Sequence, residues 1–349
     1  MEQRSTVTIG CDLGDKRSEV CVLGDSGEVL LRRSVSLTRR SLKAFFTQYT
    51  GAVVVIEAGS QSQWIAEALT SMGCEVVVAN PRQVKLIGQA SRKNDRRDAE
   101  LLARLGRADR SLLAPVQHRG RKAQQDLVWI RARDLLVRSR ASMTSCVRGL
   151  LKTFGVRVKS CHTDNFVRWA REVLPAELAP ALEPTLATIA TLTTQIKHYD
   201  KSIETLAQSY PETTCMQQIC GVASLTSLAY VLTLEDPSRY KKSRDVGPYL
   251  GMTPRQRQSG DSDPQLHVSK QGDGYLRRLL VGSAQYILGP FGPDTDLRRY
   301  GLRLVARGGK KAKKIAVVAV ARKLAVLMHR LWVSQENDVP IGYKPQMAR

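Results

Sequence analysis

Residues 52–59 read AVVVIEAG, five consecutive apolar positions, mostly β-branched, ending on the carboxylate of Glu57. A run without polar alternation cannot lie on a half-solvated sheet. Both of its faces must be covered, as when helices pack on each side of a sheet with parallel strands. Its flanks supply the partners. STVTIGCDLG (5–14) is a short apolar run ending at Asp12-Leu13-Gly14, and SEVCVLG and EVLLRRSVS follow across Gly/Asp turns as an antiparallel meander. The helical stretch RRSLKAFFTQY leads into the 52–59 run. After it come a helix at 63–72, the strand CEVVVAN, a short helix opened by Pro81, and a helix carrying RKNDRRDAELLARL. Three meander strands followed by alternating strands and helices predict a mixed α/β sheet with helices on both faces.

The rest of the chain reads as helix. Residues 119–154 form one long basic helix, with Leu127, Ile130, Leu135 and Val137 apolar and Arg131, Arg133, Arg138, Arg140 and Arg148 charged. A second helix, Pro184–Ser209, is acidic and poor in aromatics. It is either an ordinary amphipathic helix or a coiled-coil-like oligomer seam. MQQICGVASLTSLAYVL reads helix, tight turn at Gly221, helix, and GGKKAKKIAVVAVARKLAVLMHRLW is a basic lead into an apolar helix. The expected division is a sheet domain at 1–112, a basic and coiled-coil-like helical region at 113–210, a mainly helical domain at 211–335, and a tail at 336–349 expected to be poorly ordered past Val339.

Charge narrows the partners. The formal net charge of +22 divides into +4, +9, −5 and +14 over residues 1–110, 111–160, 161–238 and 239–349. Two basic surfaces flanking an acidic spacer point to a nucleic acid, whose condensed counterions are released as phosphates are neutralised. An anionic membrane is the weaker alternative, since no apolar run approaches the roughly 20 residues of a span. The seven cysteines are scattered, without CxxC pairs or Cys/His clusters, so neither zinc nor a disulfide framework is indicated. No signal-peptide pattern is present, and the expected location is the cytosol. No GxxxxGK[ST] loop occurs, which argues against ATP-driven phosphoryl chemistry.

Four carboxylates carry the candidate chemistry. Asp12 and Glu57 end two strands that emerge at one edge if the strands are neighbours, and Asp95 and Asp98 share a helical face at i and i+3. If the four converge, two Mg2+ or Mn2+ ions about 3.5–4 Å apart would neutralise them and polarise a phosphodiester. Hard oxygen donors without His or Cys suit these ions rather than zinc. The residues alone leave a plainer reading open, in which Asp95 is an N-cap and Asp98 pairs with a neighbouring arginine. Arg92, Lys93, Arg96 and Arg97 would then neutralise the aspartates, or else point away and hold a nucleic-acid strand.

IGCDLG, VVVIEAG, VVVANPRQVK and RKNDRRDAELLARL resemble the RuvC-like DEDD domain of the IS one-ten family of insertion-sequence transposases. ICGVASLTS, YLGMTPRQRQSG, SKQGDGYLRRLL and KKIAVVAVARKLAVLMHRL resemble, in order, that family's C-terminal transposase domain. The resemblance implies an RNase H-like fold over 5–110, Mg2+ (or Mn2+) held by Asp12, Glu57, Asp95 and Asp98, and a helical middle that mediates assembly. It places a serine nucleophile at Ser259, through the match to TPRxxxSG. It also implies a structured non-coding bridge RNA that pairs with donor and target DNA, dimers joining into tetramers, and strand exchange through a covalent serine–DNA intermediate. Such an ester conserves the phosphodiester bond energy, in keeping with the missing P-loop. Arg255, Lys270, Arg277 and Arg278 would clamp phosphates near the serine. Arg131, Arg138, Lys310 and Lys311 would contact nucleic-acid backbone.

The chain departs from the family pattern at Ala223, where a helix–hairpin–helix turn usually has a second glycine. It departs again in EAGSQSQW after the glutamate, and in a loop that holds a rival serine, Ser262. Two other functions compete: a metal-dependent, structure-selective nuclease of the junction-resolvase kind, which would not need Ser259, and a non-catalytic nucleic-acid-binding protein.

Overall fold

The computed structural model describes residues 7–87, 94–264 and 266–336. The expectations for Arg92, Lys93 and the tail past Val339 lie outside the described residues. The chain forms two compact units, Met1–His118 and Arg119–Arg349.

The first unit is built on strands β1 (Thr8–Leu13), β2 (Arg17–Leu23), β3 (Val29–Ser36), β4 (Val53–Glu57) and β5 (Glu75–Ala79), with helices α1 (Arg39–Phe46), α2 (Ser62–Ser71), α3 (Pro81–Ile87) and α4 (Asp95–Ala108). The sheet order is β3-β2-β1-β4-β5, antiparallel through the meander and parallel from β1 to β4 to β5. The 52–59 run is covered on both faces, as expected. Val54 and Ile56 pack with Leu42, Phe46, Ile65 and Leu69 of α1 and α2, while Val53 and Val55 pack with Leu102 and Leu105 of α4.

Gly10 lets α4 settle on β1. A Cβ there would lie 2.0 Å from Ala99 O and 2.5 Å from Ala103 N. Both are backbone atoms, so no rotamer change relieves the clash and the helix itself must move. Gly10→Ala is therefore expected to cost about 3 kcal/mol, at the upper end of overpacking. A chemical-denaturation midpoint measures this, and near-parent stability would mean that α4 can lift without loss.

In the second unit, α5 (Arg121–Thr153) and α7 (Ala179–Gln208) run antiparallel, with α6 (Phe166–Glu172) at one end. At 33 residues α5 is about 50 Å long. Arg133 meets Asp200 at 2.5 Å, Arg140 meets Asp164 at 2.9 Å, and Trp129 packs on Tyr199. The apolar seam of α7 (Leu186, Ile189, Ile196, Ile203) is buried within this chain, where an ordinary amphipathic helix would have it. The start expected at Pro184 is corrected to Ala179. Pro180 occupies the opening turn, where its missing N–H costs little, and Pro184 is carried inside the helix.

The main core of this unit gathers parts of α5 and α7 with α8 (Glu212–Gln217), α9 (Ser224–Leu234), α10 (Val246–Tyr249), α11 (Gly274–Leu288) and α13 (Ala312–Ser334), and α12 (Asp296–Ala306) packs against its edge. Gly221 makes the expected turn, at φ +85°. Ala223 caps α9 with an extended backbone, φ −105° and ψ 179°, which needs no second glycine.

Candidate functional site

Strand parity and one helix crossing bring the carboxylates together. Thr8, Gly10 and Asp12 alternate with Ile9 and Cys11, and Gly10 faces α4. Asp12 therefore extends the row beneath α4 toward that helix's first turn. Asn94 is the N-cap, its side chain accepting from Arg96 N, so Asp95 is the first helical residue rather than the cap. Asp95 and Asp98 both stand in the first turn, where the helix dipole favours negative charge.

Ligand oxygens of Asp12, Asp95 and Asp98 all lie within 4.8 Å of one another. Among the described residues no Lys or Arg nitrogen comes within 4 Å of Asp95 or Asp98. Arg96 instead reaches Glu19, at 3.5 Å. Glu19 sits directly across from Asp12 in the β1–β2 register, and the sequence reading had missed it. Its signal was the meander pairing itself. Of the arginines in the plainer reading, the described Arg96 and Arg97 form no ion pair with Asp95 or Asp98.

Glu57 ends β4, the parallel neighbour of β1, on the same face as Val53 and Val55. It is not among the carboxylates that close to within 4.8 Å. A strand spacing of nearly 5 Å separates it from β1, and α4 crosses β1, with Ala99 and Ala103 over Cys21 and Leu23 of β2 and Leu102 and Leu105 over Val53 and Val55 of β4. The loop after Glu57 is closed by Ser62, whose Oγ donates to Gly59 O and accepts from Gly59 N. Gln61 Nε2 donates to Gly14 O and Asp15 O, at 3.0 and 2.8 Å, tying this loop to the β1–β2 turn below Asp12. The departure EAGSQSQW therefore still supplies a braced loop.

Three carboxylates this close, two of them with no described Lys or Arg nitrogen within 4 Å, suit a hard divalent ion such as Mg2+ or Mn2+. The adjacent thiol, Cys11, points to the opposite face, and burial pushes its pKa well up, so it stays a neutral thiol. On the outer side of α4, the Arg32 and Arg104 guanidiniums grip Glu100, both at 2.7 Å, and hold its carboxyl below the usual range. They fix the helix without entering the cluster.

In the second unit Ser259 lies at the tip of an antiparallel excursion. Thr253 O, Arg255 N and Pro254 pair with Ser269 N, His267 O and Val268. Ser259 and Ser262 exchange both backbone hydrogen bonds at 3.1 Å, across a two-residue turn whose first residue, Gly260, has φ +55°. At the base, Arg277 Nη1 donates to Leu250 O and Gln271 O, at 2.9 and 2.6 Å. Both serines are exposed, and among the described residues neither hydroxyl has a hydrogen-bond partner. Among the described residues no histidine or carboxylate hydrogen-bonds either hydroxyl. His267 is an exposed loop residue, and His329 is buried between Ser243 Oγ and Pro237 O, where burial lowers its pKa.

The predicted basic residues separate into two groups. Arg255, Lys270 and Lys311 line one groove, with Lys310 just before it on the lead into α13. Arg277 braces the hairpin base instead. Arg278 and Arg138 both pair with Asp134 on α5, at 2.8 and 3.1 Å, and Arg131 is exposed on the same helix. Among the described residues no helix is long and apolar enough to cross a membrane.

Comparison with known proteins agrees along the chain. A family model for the DEDD domain of IS110 transposases, described as a transposase, matches residues 9–155, and one described as "Transposase IS116/IS110/IS902 family" matches residues 213–296. The chain is 27% identical over 337 residues to the transposase for insertion sequence element IS1111A of Coxiella burnetii, covering 94% of this chain and 90% of the relative. It is 28% identical over 281 residues to the transposase for insertion sequence element IS1328 of Yersinia enterocolitica, covering 79% and 82%.

Proposed function

The chain belongs to the IS110 family and is a transposase of an insertion sequence element, and from that premise we propose that it exchanges DNA strands through a covalent serine–DNA intermediate under the guidance of a structured RNA. The observation that carries this reading is the convergence of Asp12, Asp95 and Asp98 with no described Lys or Arg nitrogen within 4 Å of Asp95 or Asp98. The strand order 3-2-1-4-5, a meander feeding a parallel set, supports an RNase H-like, RuvC-like first unit. Asp12, Asp95 and Asp98 would hold Mg2+, with Glu57 completing the set from the next strand. The ion would supply Lewis-acid polarisation of the scissile phosphate.

Ser259 is the nucleophile in this reading. Its oxygen forms a bond to phosphorus as a deoxyribose oxygen leaves with a proton, and attack by the hydroxyl of the exchanged strand later releases the serine. Arg255, Lys270, Lys310 and Lys311 neutralise strand phosphates, and Arg131 and Arg138 present α5 to nucleic-acid backbone. Arg277 supports the hairpin base, and Arg278 ties α11 to α5 through Asp134. Sequence choice comes from RNA pairing with donor and target DNA, the protein reading shape. The working assembly is a dimer that joins into a tetramer in the bacterial cytosol.

The experiment combines the protein and its co-purifying RNA with DNA fragments carrying the element's ends and target. Recombinant DNA is expected only with both Mg2+ and RNA, and RNase treatment should abolish it. Recombination that survives RNase would overturn the guide. Free cut ends without joining would favour the nuclease reading, to which the unassisted Ser259 hydroxyl lends some weight.

A further inference from the structure

The second unit contains an open groove of about 1960 Å3, several times the size of a small-molecule site. One wall is a single face of α13, where Lys311, Lys314, Ile315, Val318, Arg322 and Val326 recur at helical spacing. The opposite face of that helix, with Val320, Leu324 and Met328, is in the core. Arg255, Arg257 and Lys270 of the serine hairpin line the groove as well, and Leu297 and Tyr300 of α12 add apolar floor.

The lining is chemically lopsided. Among the described residues it carries eight Lys and Arg side chains against one carboxylate, Asp296, which Arg299 holds at 2.7 Å. Among the described residues its apolar floor is only partly covered, and Ile315 is 60% exposed. The first turn of α13 contains no acid, and Lys311, Lys313 and Lys314 crowd its positive dipole end. Lysines there repel the dipole and each other unless an anion lies among them. A second copy of the chain, itself strongly basic, is a poor match for this rim. A duplex would present only phosphates and leave the floor exposed. An unpaired strand presents phosphates and base faces together.

We propose that this groove binds an unpaired stretch of DNA, with phosphates on the cationic rim and a base against Tyr300, Ile315 and Val318. The proposal rests on the reading of the chain as a strand-transferring enzyme. Arg255 and Arg257 lie four and two residues before Ser259, so the bound strand runs directly from the hairpin that would carry the nucleophile. Lys323 Nζ sits 3.9 Å from the Tyr300 ring centroid, fixing the ring at the floor while leaving a charge beside it.

The test is equilibrium binding of the full chain in EDTA to a fluorescein-labelled single-stranded DNA, its duplex, and the RNA of the same sequence. Single-stranded DNA should bind more tightly than the duplex. Tyr300→Ala and Ile315→Gln should each weaken it by about tenfold, leaving duplex binding within about twofold. Lys314→Ala should lower the salt slope by about 0.7, the value for one single-strand phosphate. Photocrosslinking of a 4-thiothymidine strand to the parent protein needs no variant and should map to residues on the hairpin, α12 and α13. Unchanged affinity in the variants, crosslinks elsewhere, tighter binding of the RNA, or a change of oligomeric state in Ile315→Gln without loss of binding would each overturn the proposal. Because binding is measured without metal or cleavage, it stands or falls separately from strand exchange. An active recombinase with unaffected variants loses only the groove, and a groove that binds in a protein with no Mg2+-dependent chemistry loses only the enzyme.

Discussion

Asp12→Asn is expected to raise the thermal midpoint of the metal-free first unit by a few degrees, to erase the further rise that Mg2+ gives the parent, and to slow strand transfer on the order of 1000-fold. Oxygens of three carboxylates lie within 4.8 Å of one another, and at water-like dielectric each pair repels by roughly 1 kcal/mol. Asp12 takes part in two of the three pairs. Asp95 and Asp98 belong to the first turn of α4, where the dipole offsets part of their charge, so neutralising the strand-end Asp12 relieves repulsion without giving up that offset. Asparagine keeps the size and polarity of the side chain. In the parent, Mg2+ at 100 times its dissociation constant adds about 2.7 kcal/mol of stability, which the variant forfeits. Opposite shifts in EDTA and in Mg2+ distinguish a metal site from a merely tolerated acidic patch, since a patch shows the first and lacks the second. Calorimetry in both buffers, at low salt so that screening does not hide the repulsion, reads the result. A parent midpoint indifferent to Mg2+ and Mn2+ would sink the metal assignment.

Much of this site is legible in the sequence because its elements are local. The 52–59 run dictates a doubly covered strand, the i and i+3 spacing puts Asp95 and Asp98 on one face, and the apolar run ending at Asp12-Leu13-Gly14 puts a carboxylate at a strand end. What the sequence does not disclose is which elements lie against which. Gly10 reads as an ordinary strand residue until Ala99 O is found 2.0 Å from where its Cβ would be. Glu57 has the right strand and the right face, yet it stands one strand over from Asp12 and outside the close cluster. Glu19 enters through β-pairing, which a linear reading does not weigh. The same limit governs α7 and α13. Periodicity shows that a face is apolar, but not whether a helix of the same chain covers it, as α5 covers α7, or no described helix does, as along the groove wall of α13.

Ser259→Ala is expected to abolish the denaturation-resistant protein–DNA adduct and strand joining, by at least about 1000-fold, while Ser262→Ala stays within about threefold of the parent. The fold cannot explain such a contrast. Both serines are exposed on one tight turn, their backbones exchange hydrogen bonds at 3.1 Å, and neither side chain has a hydrogen-bond partner among the described residues, so each truncation removes a hydroxyl and nothing that holds the hairpin. Thermal midpoints of both variants should match the parent, and so should DNA affinity. A hydroxyl with no base beside it is a weak nucleophile, so adduct formation in the parent should require Mg2+ and DNA together. Labelled DNA on a denaturing gel, with the modified peptide identified by mass spectrometry, gives the answer. An adduct lost in Ser262→Ala and kept in Ser259→Ala would move the nucleophile across the turn. Cut ends with no adduct in the parent would remove serine from the chemistry and leave a metal-dependent nuclease.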